Sequence, residues 1–284
     1  MATFYNQATL NYNGLSTTSN TVTGELVTVL QSTKTAVNQT YTPGDNVTYV
    51  INLINSGSTA LTNLTLTDNL GSYTYNSQTV VPLTYNTGTL QYYTNGTLQA
   101  TPTISNTSPL TVTGISVPAN GNATIIYQAR VNSFATPTTG GTVVNTATIS
   151  GGGLAENVTA TETITAGTEP ALTISKSVSP TTVNENGTLT YTFLIQNTGN
   201  SAADASDAVT LTDTFNPILS NLSVTFNGNA WASPTNYTYN ASTGEFQTVS
   251  GQITVPAATY TQNTTTGEWE INPGISTLVV TGTV

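Results

Sequence analysis

Hydrophobic and polar positions alternate in short runs along most of the chain, with a period of two. Val47-Thr48-Tyr49-Val50-Ile51-Asn52-Leu53-Ile54 and Leu189-Thr190-Tyr191-Thr192-Phe193-Leu194-Ile195 show the pattern. β-Branched and aromatic residues fill these runs, and Gly, Pro and Asn separate them, as in half-buried β-strands. Helical periodicity is absent. Asn-Gly steps at Asn95-Gly96 and Asn227-Gly228 predict tight hairpin turns. Strands at this spacing predict an all-β chain of β-sandwich units.

The chain also repeats itself. Lys34-Thr35-Ala36-Val37 matches Lys176-Ser177-Val178-Ser179, and Tyr49 to Asn55 matches Tyr191 to Asn197. Thr65-Leu66-Thr67-Asp68 matches Thr210-Leu211-Thr212-Asp213, and the tyrosine follows the lysine by the same interval in both copies. The expected organisation is a first domain over 26–166, a linker over 167–170 and a second domain over 171–284.

The two copies end differently. In the first, the strand Thr124 to Val131 is followed by Val143 to Ile149 and then Val158 to Ile164. In the second, the strand matching Thr124 to Val131 is Thr277 to Val284, where the sequence stops. The two closing strands have a counterpart at the other end. Phe4-Tyr5-Asn6-Gln7-Ala8-Thr9-Leu10 matches Val143 to Ile149, with Asn6 on Asn145 and Ala8 on Ala147. Asn20 to Thr23 then stands where Asn157 to Ala160 stand. Residues 1–25 therefore read as donor strands for a second domain that lacks its last two.

A sandwich without those strands has a groove and an edge that template another chain. The tether near Gly24-Glu25-Leu26 spans roughly 10 Å, against about 33 Å for a domain built of ten-residue strands. The leader is thus expected to complete domain 2 of a neighbouring copy by strand addition. Such a head-to-tail contact propagates as a filament unless its rotation closes a ring. The alternatives are extra edge strands or a disordered leader. A leader lying against its own body, or dangling free, would overturn the donor expectation.

Composition narrows the chemistry. Only 6% of the 284 residues are charged, 37% are hydrophobic, and there is neither His nor Cys. This excludes Ser-His-Asp and Cys-His nucleophiles, disulfides and the usual zinc, haem and iron–sulfur ligands. Three Lys+Arg against thirteen Asp+Glu, a net charge of −10, argues against a nucleic-acid partner. No apolar run approaches the ~20 residues of a membrane span, and neither a secretion leader nor a wall-sorting signal is visible.

Alternation also assigns faces. Leu30, Ser32, Lys34 and Ala36 share one, as do Leu172, Ile174, Lys176 and Val178. Asp68 lies on a face with Leu64, Leu66 and Leu70, and Asp213 with Val209, Leu211 and Phe215. Asn145 goes with Ala147 and Ile149, and Asn6 with Ala8 and Leu10. Each copy thus aims one Lys, one Asp and one Asn at an apolar interior, and Lys34 and Lys176 are the only lysines.

Burial pushes an amine towards its neutral form and a carboxyl likewise. A neutral amine is a nucleophile, and a protonated carboxyl can hydrogen-bond and polarise the Asn amide oxygen and move protons. Contact supplies a high effective molarity. The expected product is a Lys–Asn isopeptide bond with loss of ammonia, formed once per site without cofactor or metal. The pairs are Lys34 with Asn145, assisted by Asp68, and Lys176 with Asn6 of the next copy, assisted by Asp213. The competing reading is a buried Lys–Asp ion pair beside an Asn with no covalent bond.

The combination Lys176-Ser177-Val178, Tyr191 to Gly199, Leu211-Thr212-Asp213 and Val144-Asn145-Thr146-Ala147-Thr148 resembles a bacterial surface repeat, the domain of unknown function eleven. The resemblance implies Ig-like sandwich modules in tandem on a bacterial surface. The Lys-Asp-Asn set resembles that of isopeptide-bonded collagen adhesins and Gram-positive pilins, which implies the same roles for these six residues. The split second module departs from a simple tandem array.

The expected function is a self-assembling extracellular filament subunit, with other copies of itself as partner. A Met start without a leader fits release from a lysing mother cell as a spore appendage, or a processed or recombinant terminus. The alternative is a monomeric adhesin for carbohydrate or host protein. A glycosidase is disfavoured, since no paired carboxylates stand on matched strands. Asn55 and Asn197 read as turn formers, Asp204 and Asp207 as a solvated loop or a calcium site, and Tyr85 to Tyr93 as a hairpin with exposed aromatics or, alternatively, a glycan-contacting stretch.

Overall fold

The computed structural model describes residues 2–284, and side-chain exposure from residue 3; Met1 of the expected donor segment lies outside them. The described residues are all-β apart from one 3-10 turn at Ala205–Asp207. It divides into two compact units, 1–136 with 140–166, and 137–139 with 167–284.

Unit 1 is a sandwich of two sheets. One carries the lysine strand Leu30–Ala36 at its edge, next to Asn46–Asn55, which pairs with Gly121–Val131. In Asn46–Asn55 every second residue, from Val47 to Asn55, is buried. The other sheet places the aspartate strand Leu61–Asp68 between Leu110–Val117 and the asparagine strand Thr142–Gly151. A cover strand, Val158–Ala166, pairs with the asparagine strand and packs across the lysine strand. Tyr49, Ile51, Leu53, Leu66, Tyr127 and Ile149 are fully buried between the sheets.

Unit 2 follows the same plan. Its lysine strand Leu172–Ser179 pairs with Thr188–Asn197, and that strand with Gly274–Thr283. Its aspartate strand, Thr212–Thr214, pairs along one edge with Glu245–Thr248. The other edge is the one that the asparagine strand takes in unit 1, and among the described residues no strand pairs with it. No strand covers the unit 2 lysine strand either, again among the described residues. Phe193, Phe215, Val224, Phe246, Leu278 and Val280 form the core.

The leader is one kinked hairpin. Ala2–Asn6 pairs with Val22–Leu26, and Thr9–Tyr12 with Leu15–Thr18 around Asn13-Gly14. Both turn residues have positive φ, 47° and 76°, as a two-residue primed turn requires. The Phe4 ring lies across Gly24, its cross-strand partner. Residues 3–28 are exposed throughout, except for half-buried Gly24. The leader is therefore neither an edge strand of unit 1 nor an unpaired tail. Three residues, 27–29, separate it from the lysine strand.

Two expectations are corrected. Tyr85 to Tyr93 is not a hairpin: Leu83–Tyr85 and Gln91–Thr94 both pair with Gly121–Val131. Tyr85 and Tyr92 turn inward and are buried, which removes most of the proposed glycan-contacting face. The leader's register also differs from that of unit 1. Asn145 stands opposite Glu162, so the match of Asn20 with Asn157 puts Asn6 opposite Glu25, yet Asn6 stands opposite Val22. The tight Asn13-Gly14 turn sets this pairing locally.

Candidate functional site

In unit 1 the three expected residues come together. Lys34, Asp68 and Asn145 are 4%, 0% and 0% exposed. Each sits at an inward position of its own strand, and the paired register does the rest: Ala147 lies opposite Asp68, which brings Asn145 to the end of the aspartate strand. Lys34 Nζ lies 2.7 Å from Asp68 Oδ2 and 4.8 Å from the centre of the Tyr49 ring. Asp68 Oδ1 accepts the Leu70 amide at 3.0 Å.

The direct hydrogen bond from acid to amide oxygen expected from the sequence is not formed. The Tyr127 hydroxyl stands between the two groups, donating to Asp68 Oδ2 at 2.7 Å and accepting from Asn145 Nδ2 at 3.0 Å. Asn145 Oδ1 is buried without a partner. An unpaired buried carbonyl costs about 1–3 kcal/mol, so any donor that forms beside it is favoured.

Electrostatics prepare the amine. Burial lowers the pKa of Lys34 to about 8, against the opposing pull of Asp68 and, more weakly, Glu162. Near neutral pH a usable share of this lysine is therefore the uncharged nucleophile. Burial, reinforced by the Asp68 charge, pushes the Tyr127 phenol well above its ordinary range. It remains a proton donor.

Unit 2 carries two of its three members. Lys176 Nζ bonds Asp213 Oδ2, and rings of Tyr191, Phe193 and Phe215 lie 4.7, 5.4 and 5.5 Å from that nitrogen. This pair is open, with side chains 40% and 18% exposed. Lys176 takes the inward-facing position equivalent to Lys34, against the core-side rings, but among the described residues no cover strand lies over it, so it is not buried. Asn6 stands exposed on the leader.

The remaining candidates fall outside the site. Asn55 and Asn197 are buried and organise turns. Asn55 Nδ2 donates to the Thr59 and Pro118 carbonyls, and Asn197 Nδ2 to those of Ser201 and Pro256. Asp204 and Asp207 cap the 3-10 turn, accepting from Ser206 and from the Asp204 amide. Tyr127 is the member that sequence reasoning missed. Its signal was a phenol within the inward run Ala123, Ile125, Tyr127, Ala129 and Val131.

No helix among the described residues is long and apolar enough to cross a membrane. No family model matches the chain, so the resemblance to the surface repeat stays a resemblance, and no curated protein matches it. Among solved structures, the major pilin subunit of Bacillus cereus is 11% identical, over 96% of this chain and 73% of its own, with a TM-score of 0.36. The pilus backbone protein of Streptococcus pneumoniae is 12% identical over 86% of this chain and 55% of its own, at 0.34. A family 123 glycoside hydrolase from Clostridium perfringens, 13% identical, matches over 48% of this chain and 27% of its own, at 0.32. The chain thus spans about half and about a quarter, respectively, of the latter two proteins, and likeness at these scores carries nothing about function.

Proposed function

We propose that this chain is the structural subunit of an extracellular filament on a bacterial cell or spore. Each copy donates residues 1–25 to unit 2 of the next copy. A Lys34–Asn145 isopeptide bond closes unit 1, and a Lys176–Asn6 bond locks the contact between copies. The chemistry is a single event per site, without turnover.

One observation carries the reading. Equivalent positions of the two lysine strands differ in cover: Leu30, Lys34 and Ala36 are buried, whereas Leu172 is half-buried, the Lys176 side chain is 40% exposed and Val178 is 37% exposed. The uncovered face is apolar, lies beside an unpaired strand edge and holds a lysine and an aspartate ready paired. The leader offers the complement, with Phe4, Tyr5, Leu10 and Val22 all more than half exposed. Full burial of such a side chain contributes about 1.5–3 kcal/mol.

An exposed leader by itself counts against a donor role, and the free register counts further. To dock in the register of unit 1, its two strands must re-pair by three residues. What favours docking is the gain on both surfaces at once, together with a bond that escapes the limits of non-covalent affinity.

Boiling the assembled protein in SDS tests the reading. A ladder, or material too large to enter the gel, is the expected result. A clean monomer band from visible filaments refutes the intersubunit bond and leaves strand donation to the deletion described below.

A further inference from the structure

The unit 1 cluster has a fourth member with no counterpart in the repeat. Tyr127 sits opposite Tyr49 on paired strands, and the same place in unit 2, opposite Tyr191, holds Val280. The Tyr127 hydroxyl is the hydrogen-bonded link between Asp68 and the nitrogen of the Asn145 amide. Loss of ammonia requires that nitrogen to gain a proton, because an amide anion does not leave. It also requires the proton to arrive at Nδ2, and the Tyr127 hydroxyl is the group that links Nδ2 to Asp68.

We infer that Tyr127 is a catalytic residue of unit 1, relaying a proton from Asp68 to Asn145 Nδ2; the inference rests on the isopeptide reading above. Lys34 first passes a proton to Asp68 across their 2.7 Å contact. The neutral amine attacks Asn145 Cγ and the amide carbonyl electrons move to Oδ1. Nδ2 is then an amine with a free lone pair. Tyr127 gives it the phenol proton and takes the one held by Asp68. The carbonyl re-forms, the Cγ–Nδ2 bond breaks, and ammonia leaves. The new amide nitrogen returns its extra proton to Asp68, which ends as the neutral acid. No oxidant or co-reactant enters.

Unit 2 has no phenol at this place, so its intersubunit bond closes more slowly than the bond inside unit 1. The order follows from residue 127 against residue 280, independently of when copies meet.

The test uses the full chain carrying Asn6→Ala, so that only the unit 1 site reacts, with intact mass followed from cell-free synthesis onward. The parent is expected to lose one ammonia. Adding Tyr127→Phe, which keeps the ring, is expected to slow that loss at least about a hundredfold, within the usual range of acid–base catalysis. Equal time courses for the two proteins overturn the relay and leave the isopeptide bond standing. A parent that never loses ammonia overturns the isopeptide reading itself, and the relay with it. Should the phenylalanine variant fail to fold, fluorotyrosine at position 127 keeps the shape while making the phenol more acidic. A shifted pH–rate profile is then expected, and a profile identical to the parent's overturns the relay.

Discussion

Two lysine strands with nearly the same local pattern end in opposite environments. Leu30–Ala36 and Leu172–Ser179 each pair with a long neighbour in the same register, so that Lys34 stands opposite Ile51 and Lys176 opposite Phe193. One lysine is sealed and the other open to solvent. The difference comes from the facing sheet: unit 1 has the asparagine and cover strands, and no described strand takes those places in unit 2. Burial of a charged group is thus a property of what lies across from it. Under the proposed function the sealed site reacts on its own, and the open site waits for a third residue.

Four experiments break or sharpen this comparison. The largest effect is expected from deleting residues 1–24, which should abolish filaments in electron micrographs; filaments from the truncated chain rule out the donated hairpin. Next come the lysines themselves, compared by urea unfolding in an Asn145→Ala background where no bond forms in unit 1. Lys34→Ala leaves Asp68 buried without its partner and is expected to cost about 3–5 kcal/mol. Lys176→Ala breaks an exposed pair and should cost no more than about 1 kcal/mol. Equal losses would mean that the two sites are equally buried in solution.

The third concerns pH. With the Asn145→Ala variant, Lys34 stays a free amine whose pKa is about 8 in the folded chain against the ordinary 10.5. Between these values the unfolded chain holds the extra proton. Stability therefore rises as pH rises from about 8 to 10.5, by on the order of 3 kcal/mol, and is flat below. Chemical denaturation across that range reads it. In the unsubstituted chain the same titration removes the proton that Lys34 passes to Asp68, so the relay predicts that bond formation slows as pH rises through about 8. The smallest effect is expected from Ile174→Ser, which copies Ser32 of unit 1 into the open face. Monomer stability should change by less than about 0.5 kcal/mol, while assembly slows. Unchanged assembly kinetics would show that this face is not covered.

Much of the site was legible because alternation and repetition are local. Lys34, Asp68 and Asn145 stand at inward positions that a period of two assigns without knowledge of the partner strands. The equivalence of Lys176 with Lys34 and of Asp213 with Asp68 rests on spacing alone. Tyr127 was not legible as a member, because its inward position is shared by core residues such as Ile125. Only the pairing of three distant strands brings its hydroxyl to both Asp68 and Asn145.

The amino-acid sequence by itself determined the strands, the two-fold repeat and which residues face inward, since each follows from side-chain alternation and turn chemistry within a few residues. The tertiary structure decided the rest. It placed a phenol between the acid and the amide and turned Tyr85 and Tyr92 into the core. It also paired the leader with itself and left Lys176 open where Lys34 is closed. Those outcomes depend on which strand packs across from which, and that is set by contacts between residues far apart in the chain.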